Sequence, residues 1–585
     1  MANIIGISAY FHDSACCLLQ DGVLVAAAEE ERFSRSKHDS SLPKQAFRYC
    51  LQQGGISPRD VDCVAYYEDP RLKLERQLWM FLPQIPKRRV RQLWWKARQP
   101  EREIRESLGY EGRIEIFTHH QAHAASAFYY SGFDESAILT IDGAGEWATT
   151  TYGFGKNNSL EIFEEVRFPH SLGLFYSTFT NYLGFSVNDG EYKVMGLAPY
   201  GRPLHVKQIR ELIEPGQNGQ YRLKLEYFDF MRTDRMYSPL LPELFGQPAR
   251  QSESELNDFH KDLARSLQVV LEEILLEKVR YLHQKIGSEN LCMAGGVALN
   301  CVANGRILSD GPFKQLFVQP AANDAGGCLG TAALANAQLT GNGINQAMGH
   351  AYLGPEFSSN EIRKLLDDTP LKVRDFRNQE DELLRAAVDL LCRGKVIGWF
   401  QGRMEFGPRA LGARSILADP RDTNMRDRIN ALVKKREAFR PFAPAVLGSQ
   451  ASRYFALDHA SPFMLETCQV TSQISLPAIT HVDGSARVQT VDKKTAPRFG
   501  RLLEMFGERT GCPLLLNTSF NMRDEPIVCS PVDAILCFSR SEIDGLVLQD
   551  FILERDDLIP EWTELFKTVP AGPMSNVSNY VYTLF

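Results

Sequence analysis

No apolar run in this sequence is long enough to span a bilayer, and the opening MANIIGISAY carries neither a basic leader nor a long apolar segment. The expectation is a cytoplasmic chain with no membrane partner. Paired cysteine motifs are missing too. Twelve cysteines are scattered without CxxC spacing, and Cys16 and Cys17 lie inside the apolar SACCLL, which suits buried thiols in a reducing compartment. There is no GxxxxGK[ST], no GxGxxG and no GxSxG, so P-loop transfer, nicotinamide binding and a serine nucleophile elbow lose their usual support. A surplus of positive charge is also absent: the formal net charge of -7 gives no global attraction for nucleic acid. The strongest basic run, Lys87, Arg88, Arg89 and Arg91 with Trp94, Trp95, Lys96 and Arg98 behind it, is too short for a phosphate track. It reads as a solvated face with aromatic anchors.

What is present begins with size. A chain of 585 residues predicts two or more domains, each large enough to hold a structured site. Strands are expected from Ile4 to Ser8, Ala15 to Leu19 and Val23 to Ala28, with a polar turn at Tyr10 to Ser14 and a hairpin turn at Asp21 and Gly22. A second copy of this device runs from Ala137 to Asp142, through Gly143, Ala144 and Gly145, into a returning strand with Thr150, Tyr152 and Phe154. Actin-like and sugar-kinase-like ATPases place backbone donors around phosphates with such a repeat. Helical periodicity from Phe259 to Gly287 leads into a strand, Leu291 to Ala294, and then Gly295 and Gly296. Ala298 to Leu308 reads as a helix, and Gly326, Gly327 and Gly330 allow close approach of a ligand or of another helix. Both readings stay open. Gly-, Asn- and Gln-rich sequence between Thr340 and Pro355 marks a boundary, and the segment from Phe551 is either a tail or a return to the first domain.

Several residue sets can carry chemistry. In THHQAHAASAF, His119 and His123 are four apart and share a helix face, so they can converge on one metal. Asp142 and Asp324, each ending an apolar segment against glycines, complete a mixed nitrogen and oxygen set suited to iron, manganese or zinc. His120 points to another face. His12, beside Asp13 in the first turn, can take a proton from a hydroxyl or simply cap the turn. Two later blocks are dense in cations: GRMEFGPRALGARSILADPR, with Arg403, Arg409, Arg414 and Arg421, and VKKREAFRPFAP, with Lys434, Lys435, Arg436 and Arg440. So many cations among glycines and apolar residues call for a compensating anion such as a phosphate, or for Glu405 and Glu437. Arg487 and the LLLNTSFN segment, with Asn517, Thr518, Ser519 and Asn521, extend that set.

Taken in order, HDSA from His12, EERFSR from Glu30, HHQAHAASAF from His119, DGAGEW from Asp142, GEYKVMGLAPYG from Gly190, GGVALNC from Gly295, NDAGG from Asn323, GRMEFGPRALG from Gly402, KKREAFRPFAP from Lys434 and LNTSFN from Leu516 cover nearly the whole chain. It resembles the O-carbamoyltransferases of nodulation-factor and antibiotic biosynthesis. The resemblance implies an α/β chain in three parts. Residues 1–345 would form an actin-like ATPase domain similar to the tRNA threonylcarbamoyl transferase, and 355–555 one similar to threonylcarbamoyl-adenylate synthase; 556–585 would be a tail, with a return to the first domain left open. It implies that the second domain makes carbamoyl-adenylate from carbamoyl phosphate and ATP, with Mg(2+) accompanying ATP. The first would pass carbamoyl to a hydroxyl of a small-molecule acceptor at an Fe(2+) site of His119, His123, Asp142 and Asp324, with His12 as base. Arg409, Lys434, Arg440, Arg487 and Ser519 match the adenylation positions, Lys434 and Lys435 being hard to rank. Gly295, Gly296, Asn300, Gly326 and Gly327 match the nucleotide-holding positions of the first domain. A homodimer is expected. The competing readings are threonylcarbamoyl transfer to tRNA, which the acidic balance disfavours, and a noncatalytic nucleotide-binding regulator, which would release no pyrophosphate with carbamoyl phosphate.

Overall fold

A computed structural model describes residues 2–81, 97–231, 235–344, 347–434, 437 and 439–567. Most of the basic run, Lys87 to Lys96, and the end of the tail, 568–585, lie outside the described residues. The described chain divides into two compact units, the first holding residues up to Glu30 and from His38 to Met348, the second holding Glu31–Lys37 and Gly349–Lys567.

The first unit is built on one topology used twice. Strands β1 (Asn3–Ser8), β2 (Ala15–Gln20) and β3 (Val23–Glu29) form an antiparallel meander, and β4 (Cys63–Tyr66) and β5 (Arg113–Ile116) add in parallel, giving the order β3-β2-β1-β4-β5. The second sheet repeats this: β6 (Glu135–Ile141), β7 (Ala148–Lys156) and β8 (Ser159–Arg167) are antiparallel, β9 (Asn290–Ala294) and β10 (Gln315–Val318) parallel, in the order β8-β7-β6-β9-β10. The DG turn behaves as its composition demands, since Asp21 and Gly22 both take positive φ, 49° and 75°, the twist that a two-residue hairpin needs. Four helices matter below: α1 (Pro70–Phe81), α2 (His119–Ser131), α3 (Asp258–Ile286) and α4 (Gly327–Thr340). Glycine lets α4 lie against α2, because a Cβ at Gly330 would fall 1.8 Å from the Ala122 carbonyl oxygen.

Helix α3 is the long helix that periodicity predicts, and among the polar side chains it buries is a lysine. Lys278 is 2% exposed, donates to the Gly219 carbonyl at 2.6 Å and to the Tyr152 hydroxyl at 3.2 Å, and sits 4.2 Å from the Tyr221 ring centre. Burial pushes its ammonium down to about 7. The unfolded chain keeps a lysine protonated to about pH 10.4, so between about 7 and 10 it binds more protons, and folded stability rises with pH there. Replacing Lys278 by Met removes that slope. The unfolding free energy of the parent relative to Lys278→Met, read from chemical denaturation, should therefore climb from pH 7 to pH 10, by about 1.4 kcal/mol per pH unit at most; a flat difference would show that burial does not lower the lysine.

The second unit is built on an eight-stranded mixed sheet, β11 (Arg374–Asp375), β12 (Ile397–Phe400), β13 (Arg414–Ala418), β14 (Ala443–Leu447), β15 (Gln489–Val491), β16 (Leu514–Ser519), β17 (Gly545–Leu548) and β18 (Phe551–Glu554). The spatial order is β11-β18-β17-β12-β13-β16-β14-β15. Alternate residues feed two cores: Ile416, Leu514, Leu516 and Leu546 join one cluster, while Leu417, Leu515 and Val547 join the other with Trp399. Both faces of the sheet are therefore covered, as a strand reading LLL without alternation requires. Phe551 thus opens a strand of this sheet, and the Trp562 indole N–H donates to Ser539 of the same unit at 2.9 Å. The segment Glu31–Lys37 also packs here, with Arg35 donating to the carbonyls of Ile527 and Pro526 at 2.6 and 2.8 Å.

Candidate metal centre and anion end of the second sheet

Helix α2 begins with Thr118, which caps it together with Gln121, so that the first turn is held and His119 and His123 fall one turn apart. Their Nε2 atoms are 3.0 Å from each other. Asp142 leaves the end of β6, with Oδ2 3.0 Å from His119 Nε2 and 3.7 Å from His123 Nε2. Asp324, in a short turn before α4, brings Oδ1 to 3.8 Å from both rings. The four ligand atoms all lie within 4.8 Å of one another, and all four residues are buried. Two imidazole nitrogens facing each other at bonding distance repel unless a proton or a cation lies between them. The Oδ1 atom of Asp324 is buried without a hydrogen-bond donor, which is costly unless a cation meets it. The residues fit a divalent metal.

The surroundings orient this set. The Gly296 N–H donates to Asp142 Oδ1 at 2.8 Å and the Tyr67 hydroxyl to Asp324 Oδ2 at 3.3 Å. Glu146 accepts the His119 N–H at 2.9 Å. Burial pushes Asp324 up, whereas Asp142, although buried, is held well below the usual carboxylate range by hydrogen bonds from both imidazoles. His120 turns away, as expected, with Nδ1 2.6 Å from the Thr140 hydroxyl.

His12 follows β1. Its Nδ1 lies 2.8 Å from Asp13 Oδ2, which fixes the ring and leaves Nε2 to carry a lone pair when the ring is neutral. Asp13 also meets His38 Nδ1 at 2.7 Å and accepts from Asn323 Nδ2 at 2.7 Å, and His38 Nε2 continues to Asp189 at 3.3 Å. Burial pushes His12 down, but the Asp13 carboxylate more than offsets this and raises it to about 9. Tyr10, Asp13 and His38 hold positive φ of 72°, 57° and 55°, backbone strain gathered around one histidine. His38, Asn323, Asp189, Tyr67 and Glu146 are absent from the sequence-based set.

Among the glycine positions, Gly295 takes φ 93° and a side chain there would strike the Ile141 carbonyl, and Gly326 and Gly327 lie against Ala321 and Tyr67. Asn300 caps the next helix by accepting the Ala303 N–H at 3.0 Å, and its amide donates to Gln268.

In the second unit the strand registers gather the remaining residues. Ser415 pairs with Ser519 and Ala443 with Asn517 in antiparallel ladders, while Ala445 pairs with Gln489 in parallel. The starts of β13, β14 and β15 and the end of β16 therefore share one end of the sheet. Arg409 precedes β13, Arg440 precedes β14, Arg487 precedes β15, and Ser519 closes β16. Arg440 pairs with Glu437 at 2.5 Å, and the Ser519 hydroxyl donates to Asn521 at 2.7 Å. Arg487 Nε is buried with no hydrogen-bond partner. Lys434 ends a short π-helical turn, and its side chain and Lys435 lie outside the described residues.

The other arginines of the first cationic block meet groups of the chain itself. Arg403 donates to the Leu353 carbonyl at 2.6 Å, Arg414 to the carbonyls of Gln401 and Pro355 at 2.9 Å while lying 3.6 Å from the Phe400 ring centre, and Arg421 pairs with Asp419 at 2.6 Å. Backbone carbonyls take up donors of Arg403 and Arg414, and an aspartate pairs with Arg421.

A repeated α/β sheet beside a buried imidazole and carboxylate set defines a protein with a candidate divalent-metal centre. Family comparison makes the class particular: residues 3–333 match the carbamoyltransferase N-terminus family and residues 388–555 the carbamoyltransferase C-terminus family, and the chain belongs to the O-carbamoyltransferases. It is 46% identical to the uncharacterized protein sll1178 of Synechocystis, over 95% of this chain and 97% of that one. It is 39% identical to nodulation protein NolNO of Sinorhizobium fredii, over 96% and 82% of the two chains. With the 3'-hydroxymethylcephem-O-carbamoyltransferase of Amycolatopsis lactamdurans it shares 37% identity over 45% of this chain and 49% of that one.

Proposed function

We propose that this enzyme divides carbamoyl transfer between its units, the second making carbamoyl-adenylate and the first passing the carbamoyl group to a hydroxyl of a small-molecule acceptor. The observation that carries this is the buried His119, His123, Asp142 and Asp324 set, in a chain whose halves match the two carbamoyltransferase families. In the second unit, carbamoyl phosphate gives up phosphate to water, the resulting carbamate oxygen bonds to the α-phosphorus of ATP, and pyrophosphate leaves. Arg409 and Arg487 would neutralise phosphate oxygens, Lys434 and Arg440 the departing pyrophosphate, and Ser519 would hold the carbamoyl group. The unpartnered Nε of Arg487 supports this role. Replacing Arg487 by Met should lower pyrophosphate release by on the order of a hundredfold, and an unchanged rate would remove it from the site.

In the first unit, the repeated sheet supports an actin-like ATPase reading, in which the adenylate lies near Gly295, Gly296, Asn300, Gly326 and Gly327. A divalent metal, iron(II) in this reading, would polarise the carbamoyl carbonyl. Asp13 holds His12 so that Nε2 takes the acceptor's proton, the hydroxyl oxygen bonds to the carbonyl carbon, and AMP leaves. The test is isotopic: carbon-labelled carbamoyl phosphate, ATP and a set of polyhydroxylated small molecules should give a labelled carbamate ester and AMP in equal amounts. Label recovered only as free carbamate would contradict transfer.

A further inference from the structure

The EERFSR motif takes no part in the steps above, yet its residues from Glu31 onward pack within the second unit. Glu31–Ser34 forms a single helical turn, which Arg35 closes at φ 59° with its N–H donating to the Glu31 carbonyl at 3.0 Å. Arg32 is 4% exposed; its Nη2 donates to the Gly407 carbonyl at 3.0 Å and its Nη1 pairs with Glu31 at 2.7 Å. Gly407 takes φ 110° and stands two residues before Arg409, with Pro408 between them. Phe33 packs against a cluster of Met404, Ala410, Ile527 and Cys529, which joins this loop to the one that leaves β16. Arg35 holds the second loop through the carbonyls of Ile527 and Pro526 and lies 3.5 Å from Asp533. That loop starts at Ser519, whose hydroxyl donates to Asn521, and the Asn521 amide donates to the Glu525 carbonyl at 2.7 Å.

We infer that Glu31–Lys37 is a strap that positions the anion end of the second sheet, Arg32 setting the turn that presents Arg409 and Arg35 the loop that follows Ser519. This rests on the adenylation reading above and adds positioning residues to it. A guanidinium carries its donors in a rigid planar fork, which suits it to fixing the direction of a loop carbonyl. A carbonyl held this way sets the peptide plane that follows it, and Pro408, whose φ is locked, passes that direction on to Arg409. A shift of a phosphate-binding arginine by about 1 Å costs about a hundredfold in rate. The strap lies inside the stretch that matches the N-terminus family, whereas its effect falls on the half-reaction of the second unit.

Pyrophosphate release from ATP and carbamoyl phosphate, measured on full-length variants with no acceptor, tests the strap. Arg32→Gln and Arg35→Gly should each lower kcat by at least about tenfold while metal content stays at the parent's level. Arg35 sits in the left-handed region that glycine enters freely, so Arg35→Gly removes the guanidinium without straining the backbone and serves if the buried Arg32 variant does not fold. In an Arg409→Met background Arg32→Gln should cost less than about twofold, because the group it aims is already gone. An equal loss in both backgrounds would mark a general packing defect and overturn the positioning role. Variants that match a working parent overturn the strap alone, whereas a parent that releases no pyrophosphate overturns the adenylation reading and the strap with it.

Discussion

His123→Ala should abolish carbamoyl transfer while leaving pyrophosphate release within about twofold of the parent. The substitution takes one of two imidazole nitrogens from a set whose donor atoms lie within 4.8 Å of one another. Metal content measured on the purified chain should fall from about one per chain toward zero, and transfer should fall on the order of a thousandfold. Because the second unit carries its own sheet and cores, adenylation has no reason to follow. Equal loss of both half-reactions in a folded variant would sink the division of labour.

The second large effect is at Asp13. This carboxylate meets two imidazoles and an amide, and an asparagine there cannot accept in all three directions. Asp13→Asn should slow transfer by roughly 10³ to 10⁴, since His12 loses the partner that fixes its tautomer. The pH dependence gives a sign that a merely structural defect would not. Asp13 raises His12 to about 9 against the opposing effect of burial, so in the parent the base form gains population as pH rises toward 9. Without the carboxylate His12 titrates lower, and the acid limb of the transfer profile should move to lower pH even as its plateau falls. A limb that stays in place would show that His12 is not the group being titrated.

The metal set was legible because each ligand sits in a local pattern: an i, i+4 pair on a helix, and aspartates where strands or turns end against glycine. The meander was legible from its DG turn. His38 was not, since only the tertiary fold brings it to Asp13, twenty-five residues earlier, and no local periodicity marks it. The arginine-rich block misled in the opposite way. Charge density in sequence suggests an anion, but Arg403 and Arg414 meet backbone carbonyls instead, and sequence does not reveal where a chain's carbonyls converge. That the Gly296 N–H also orients Asp142 was not legible either, since only the fold brings the two together.

Pyrophosphate release from ATP, measured with and without carbamoyl phosphate and with no acceptor added, tests the central claim most directly. Release that requires carbamoyl phosphate and persists in His123→Ala is the predicted result; release indifferent to carbamoyl phosphate, or none from the folded parent supplied with Mg(2+), would contradict it.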